Sequence, residues 1–141
     1  MNFRPSQIFP RSSRIIDSGL AMLQRQVEAR DSEAVGLAFD LEAVTDGDLS
    51  ERLDIMLGKL IRIDPRLFLV EVSRREQRVQ QHIAGGSGAN LGPEYVDLFR
   101  ASCRELRLRI LSLHGVTDPA LRDVQQRSVE GLNYQIRTYC R

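Results

Sequence analysis

The dipeptide Asp-Pro occurs twice, at Asp64-Pro65 and Asp118-Pro119, each time inside the same apolar spacing. Superposed, the two stretches match Met56 with Ile110, Leu57 with Leu111, Leu67 with Leu121 and Val70 with Val124. Asp is a strong helix N-cap because its carboxylate accepts otherwise unpartnered amides of the first turn. Pro suits the first helical position, where its missing N–H has no partner to lose. Each pair therefore marks a junction between two helices, and the echo predicts a chain built of helical hairpins.

With 141 residues, 42% of them hydrophobic, the chain is long enough for one domain that buries roughly two-thirds of its unfolded surface. Acidic and basic residues almost balance, at a net charge of +1, which argues against a dedicated nucleic-acid binder. Lys59 is the single Lys among twenty basic residues. Guanidinium groups grip carboxylates through two parallel hydrogen bonds, so the Arg bias suits an interface, although a GC-rich coding sequence produces the same bias. Met1 to Arg14 holds three Arg and two Pro without an apolar run. No stretch reaches the ~20 apolar residues of a membrane span. The expected compartment is the cytoplasm by default, or the periplasm if a signal peptide has been removed.

The two cysteines, Cys103 and Cys140, can be placed by helix geometry. A hairpin turning near Val116 sets Cys103 opposite residue 129 or so and leaves Cys140 ~16 Å further along, at 1.5 Å per residue. A disulfide needs Cα atoms within about 7 Å. The expectation is two free thiols, which fits a reducing compartment.

Residues 1–11 read as a flexible tail and residues 12–141 as one all-α domain of about six helices in antiparallel hairpins, either a closed bundle or a short irregular stack. Residues 12–83 form its first helical part, 84–92 a Gly-rich loop and 93–141 a C-terminal hairpin. Ser12 or Ser13 caps the first helix, with Ile16, Leu20, Leu23 and Val27 in phase. Asp31 caps the second, whose face is Leu37, Leu41 and Val44, widened by Ala34, Ala38 and Phe39. Asp48 and Glu51 have the spacing of a capping box at the head of the third, which buries Leu49, Leu53, Met56, Leu57 and Leu60.

Asp64-Pro65 opens a fourth helix that runs through Val79 to Ile83. Leu67 to Val72 alone is also strand-like, but the cap before it and the helix formers behind it favour helix. The run from Gly85 to Gly92 is too rich in glycine for regular structure and reads as a flexible loop or linker. A fifth helix, Pro93 to His114, has the cleanest pattern, with Val96, Phe99, Cys103, Leu106, Ile110 and Leu113 alternating by three and four. Leu98, Leu108 and Leu111 make a second side apolar, which either completes a core centred on this helix or seals a homodimer. The sixth, after Asp118-Pro119, carries Leu121, Val124, Leu132 and Ile136, with Gly131 a weak point.

Residue types that carry chemistry do not assemble into a motif. Gly86, Gly88 and Gly92 precede a helix, but no Lys follows in a phosphate-loop pattern, the spacing is not a dinucleotide fingerprint, and Pro93 removes an amide donor. Asp46, Gly47, Asp48 and Glu51 satisfy a turn and a cap without the ligand alternation of a calcium loop. His82, His114, Cys103 and Cys140 lack paired zinc-ligand spacing. His82 lies five residues from Ser87, on the rim of a loop too flexible to hold a nucleophile and its base. No catalytic residue, metal or cofactor is expected, and the chain reads as a non-enzyme.

Two groups of Arg have shape. Arg74, Arg75 and Arg78 crowd one helix, and Arg100, Arg104 and Arg107 share a face of another, with Glu71, Glu76, Asp97 and Glu105 among them. These six are the candidate partner-binding residues, for carboxylates of another protein in the first instance and for phosphates of nucleic acid in the second.

The run from Leu53 to Val72, with Leu57-Gly58-Lys59-Leu60-Ile61 leading through Ile63-Asp64-Pro65 to Leu67-Phe68-Leu69, resembles the helix-turn-helix units of HEAT-like repeat proteins. It is also similar to small all-helical bacterial proteins of unassigned function, some of which act as immunity or adaptor proteins. The resemblance covers about half the chain and implies stacked hairpins with a protein-binding surface. It transfers no catalytic residue. The expected function is a protein-interaction module of immunity or adaptor type, with an Arg-mediated nucleic-acid binder as the alternative.

Overall fold

The structure is a computed structural model that describes residues 10–140. The expected tail falls mostly outside the described residues, and Pro10 and Arg11 already belong to the first helix. Among the described residues there are seven α-helices and no strand, so the all-α reading holds. They are α1 (Pro10–Glu28), α2 (Ser32–Val44), α3 (Gly47–Ile63), α4 (Pro65–Ser73), α5 (Gln77–Gly85), α6 (Phe99–His114) and α7 (Arg122–Tyr139). Short 3-10 turns lie at Ser87–Ala89, Pro93–Tyr95 and Pro119–Leu121.

Both Asp-Pro pairs sit at helix junctions. Asp64 accepts the Leu67 amide at 3.0 Å and opens α4 directly, whereas Asp118 accepts the Ala120 amide at 3.0 Å and opens a 3-10 turn that runs into α7. The junctions also meet in space, where Arg66 donates to Asp118 at 3.3 Å. Their apolar echo does not extend to burial, since Leu57 is wholly buried and Leu111 is 66% exposed.

That difference moves the centre of the core. Instead of the helix from Pro93 to His114, α3 is central, packed against α1, α2, α4, α6 and the Ser87–Ala89 turn. Leu53, Leu57, Leu60 and Ile61 are fully enclosed there. Pro93 begins only a 3-10 turn, the chain reverses at Asp97 with φ at 65°, and α6 starts at Phe99. Asp is one of the few non-glycine residues that tolerate this left-handed conformation. Val96 and Phe99, the first two members of the apolar pattern, are therefore 68% and 57% exposed.

One buried face and two boundaries also differ from expectation. Helix α2 is capped by Asp31, which accepts the Ala34 amide at 3.0 Å, but it buries Val35, Ala38, Phe39 and Glu42 while Leu37 and Val44 face solvent. Helix α3 starts one residue before the expected cap. Asp46 occupies the N-cap position and Gly47 takes φ at 64°, which glycine adopts without steric cost, so Asp48 lies in the first turn and makes no capping box with Glu51.

The expected fourth helix divides into α4 and α5. Arg74 caps α4 in a near-helical conformation, and Glu76 is extended. Gln80 stabilises the break by donating to the Arg75 carbonyl at 2.9 Å. Side-chain bonds to carbonyls of a helix end replace the intrahelical partners lost there.

The free-thiol expectation is wrong: Cys103 and Cys140 form a disulfide with Cα atoms 5.9 Å apart, and there is no free cysteine among the described residues. Two features close the gap. The connection from α6 to α7 runs through the Pro119–Leu121 turn, held by Gln125 donating to the Leu113 and Val116 carbonyls, so α7 does not begin until Arg122. Cys140 is the C-cap, at φ −110° and ψ 71°, where the backbone has left the helix.

Candidate functional site

The Gly-rich segment, expected to be a flexible linker, is wedged into the molecule. Ser87 is fully enclosed, and Gly88 is buried too. Gly58 on α3 admits the segment, because a Cβ there would stand 2.6 Å from the Ser87 carbonyl oxygen and 2.8 Å from that of Asn90. Arg109 on α6, 1% exposed, fastens it by donating from Nη1 to the Gly88 carbonyl at 2.8 Å and the Asn90 carbonyl at 2.9 Å. Its Nε faces Glu105 at 3.4 Å, and Glu105 also accepts from Arg62 at 2.7 Å. Burial lowers the Arg109 pKa from its ordinary value, and the Glu105 carboxylate opposes that shift.

On one side the fastened segment completes a polar cluster. Ser87 donates to Asp54 of α3 at 2.6 Å, and His82 Nε2 of α5 lies 2.7 Å from Glu42 Oε1 of α2. One ligating atom each from Glu42, Asp54 and His82 lies within 4.8 Å of the others. The Glu42 side chain is wholly buried, whereas that of His82 is 60% exposed. Burial raises the Glu42 pKa above the usual carboxylate value, the adjacent Asp54 adds to the rise, and His82 works against it. A cavity of about 270 Å³ opens beside the cluster, bordered by Glu42, Thr45, Arg78 and His82. Ser87 hydrogen-bonds Asp54, not His82, and has no access to solvent, so it is not placed to attack a substrate. The arrangement is suited to holding a proton or a cation between carboxylates.

On its other side the segment walls a mainly apolar groove of about 560 Å³, lined by Leu91, Tyr95, Leu98, Phe99, Leu106 and Tyr139 with Asp97, Ser102 and Gln135 as its polar members, and floored by the disulfide. Leu98, Phe99 and Tyr139 are 51%, 57% and 65% exposed.

The six Arg singled out from the sequence have different roles. Arg75 is internal: its Nη2 donates to the Gly36 carbonyl at 3.0 Å, pairs with the buried Glu71 and with Asp40 at 3.4 Å each, and its guanidinium lies 5.5 Å above the Phe39 ring. Arg74 pairs with Glu71 at 3.1 Å, and Arg78 borders the cavity at the polar cluster. Arg100, Arg104 and Arg107 are exposed on α6, where the one acidic residue, Glu105, is engaged by Arg62 and Arg109. At 100° per residue, Arg100 and Arg107 fall within about 60° of Cys103 on the helix, on the flank of the groove.

Sequence reasoning missed Glu42, Asp54 and Arg109. A signal existed for two of them: Glu42 follows Ala38 and Phe39 by four and three residues, and Arg109 lies between Leu106 and Leu113, so each occupies a buried stripe in place of an apolar residue. His114 and the Asp46, Asp48 and Glu51 group do not join the cluster. No helix of the described residues is long and apolar enough to cross a membrane. No protein-family model, curated protein or solved structure matches this chain.

Proposed function

We propose that this chain is a non-enzymatic protein-interaction module that takes an acidic, apolar segment of a partner protein into the groove beside the disulfide. What supports it is an open, mainly apolar groove with one acid, Asp97, in its lining, beside a helix on which Arg100 and Arg107 fall within about 60° of the groove's Cys103. Exposed aromatic and leucine side chains give such a groove its anchors, and the neighbouring Arg add orientation through carboxylates. An immunity or adaptor protein that neutralises or presents its partner is the form this function takes. The disulfide favours an oxidising compartment, such as the periplasm, over the cytoplasm.

Selection from a displayed peptide library tests the reading. The expected result is a consensus of apolar anchors beside Asp or Glu, whose affinity falls at least about tenfold in Phe99→Ser and in Arg100→Ala/Arg104→Ala/Arg107→Ala. Retention of peptide affinity in Phe99→Ser would discard the groove. Tight binding of single- or double-stranded nucleic acid, collapsing between low and moderate salt, would transfer the function to phosphate recognition.

A further inference from the structure

We propose that Glu42, Asp54 and His82 bind one divalent transition cation of the Zn²⁺ type. The proposal goes beyond the interaction module and does not depend on it. Three helices, α2, α3 and α5, each bring one donor to the cluster.

The donor count points to a missing positive group. Glu42 Oε1 faces His82, but its Oε2 is buried without a hydrogen-bond partner. The adjacent Asp54 is a second acceptor and receives the Ser87 hydroxyl on Oδ1. Leaving a buried carboxylate oxygen unpaired is costly, because water no longer solvates it and nothing replaces that water. A cation between the two carboxylates and the imidazole satisfies all three together.

The ligand chemistry selects the class. One imidazole nitrogen with two carboxylate oxygens suits Zn²⁺ and its transition-metal neighbours, whereas Ca²⁺ and Mg²⁺ prefer oxygen alone. Tetrahedral bonds of about 2.0–2.2 Å separate ligand atoms by about 3.3–3.6 Å. That separation lies between the 2.7 Å of the His82–Glu42 contact and the 4.8 Å that bounds the cluster. The Ser87 hydroxyl on Asp54 supplies the outer hydrogen bond that orients a ligating carboxylate.

Three protein ligands leave a fourth position for water, and the adjoining cavity gives it room. Thr45 Oγ1, also buried and unpartnered, borders that cavity. Arg78 on the cavity wall opposes a cation, but it is exposed and screened by solvent.

Calorimetric titration of ZnCl₂ into the full-length, oxidised protein at neutral pH tests the site. The expected result is one Zn²⁺ per chain, with affinity falling at least about tenfold in each of Glu42→Gln, Asp54→Asn and His82→Gln. The His82 ring is mostly exposed, so His82→Gln keeps the fold and stays informative if a carboxylate variant does not. His114→Gln, which changes the chain's other histidine, should leave binding intact. Absence of Zn²⁺ binding, unchanged affinity in His82→Gln, loss in His114→Gln, or stronger binding of Ca²⁺ than of Zn²⁺ would each overturn the assignment.

Discussion

Gly58 and Arg109 meet where both touch the Gly-rich segment, so closely that a Cβ on Gly58 would stand 2.7 Å from Arg109 Nη1. The same Cβ would strike two backbone carbonyls, which cannot rotate away as a side chain can. Gly58→Ala should therefore destabilise the protein by about 1–3 kcal/mol, the usual range for overpacking. Gly19→Ala is the control, since a Cβ in that part of α1 meets nothing within 4 Å. It should be neutral or stabilising by up to about 1 kcal/mol. Urea denaturation of both variants decides the matter, and equal midpoints would show that the segment yields.

Replacing Arg109 by Met should cost more than its volume suggests. The carbonyls of Gly88 and Asn90 would each lose their guanidinium donor, at about 1–3 kcal/mol per buried acceptor left unpaired. Hydrogen exchange should then show faster exchange across residues 86–92, ahead of any change in α1. Unaltered exchange in that segment would mean that backbone packing alone holds it.

Removing the disulfide with Cys103→Ser/Cys140→Ser should lower stability by about 3–4 kcal/mol on the chain-entropy view of a 37-residue separation. Denaturant midpoints with and without reductant should differ for the wild type and coincide for the double variant. Titration of thiols in the unfolded, unreduced protein should find none.

Arg75 and the three Arg of α6 should divide by stability. Arg75→Ala removes the donor to Gly36, two carboxylate contacts and the stack on Phe39, and should cost about 1–3 kcal/mol. Arg100→Ala, Arg104→Ala and Arg107→Ala are surface changes and should stay within about 0.5 kcal/mol. Thermal unfolding of the four single variants separates the two kinds. A large loss at Arg104 would show that the α6 face is structural.

Helix positions are legible where a cap and a periodic run agree, as at Asp31 and Asp64, whereas at Asp118 the same signal opens a 3-10 turn and the helix follows at Arg122. What the pattern could not convey was which apolar residues meet a neighbour. Leu37 and Phe99 fit their helical stripes as well as Phe39 and Leu106 do, yet the first two are exposed and the second two buried. Burial depends on what the rest of the chain places opposite, and that information is not local. The polar cluster was illegible for the same reason. Glu42 and His82 are forty residues apart, and Ser87 and Asp54 thirty-three, so the folded chain alone brings them together. The Gly-rich run reads as a linker because what seats it lies far off in sequence: Gly58, where a Cβ would strike the Ser87 and Asn90 carbonyls, and Arg109, which fastens those of Gly88 and Asn90.

The covalent link from Cys103 to Cys140 makes a macrocycle of everything between them, with α6 from Cys103 onward, its connection and α7 on one closed ring. A protease that cuts once inside that ring, for instance at the exposed residues around Thr117 and Pro119, opens the circle without releasing either strand of it. Both walls of the groove, Phe99 from one arm and Tyr139 from the other, would remain tethered through sulfur after such a nick. The molecule is thus built so that a single backbone cleavage there yields two polypeptides that still travel as one.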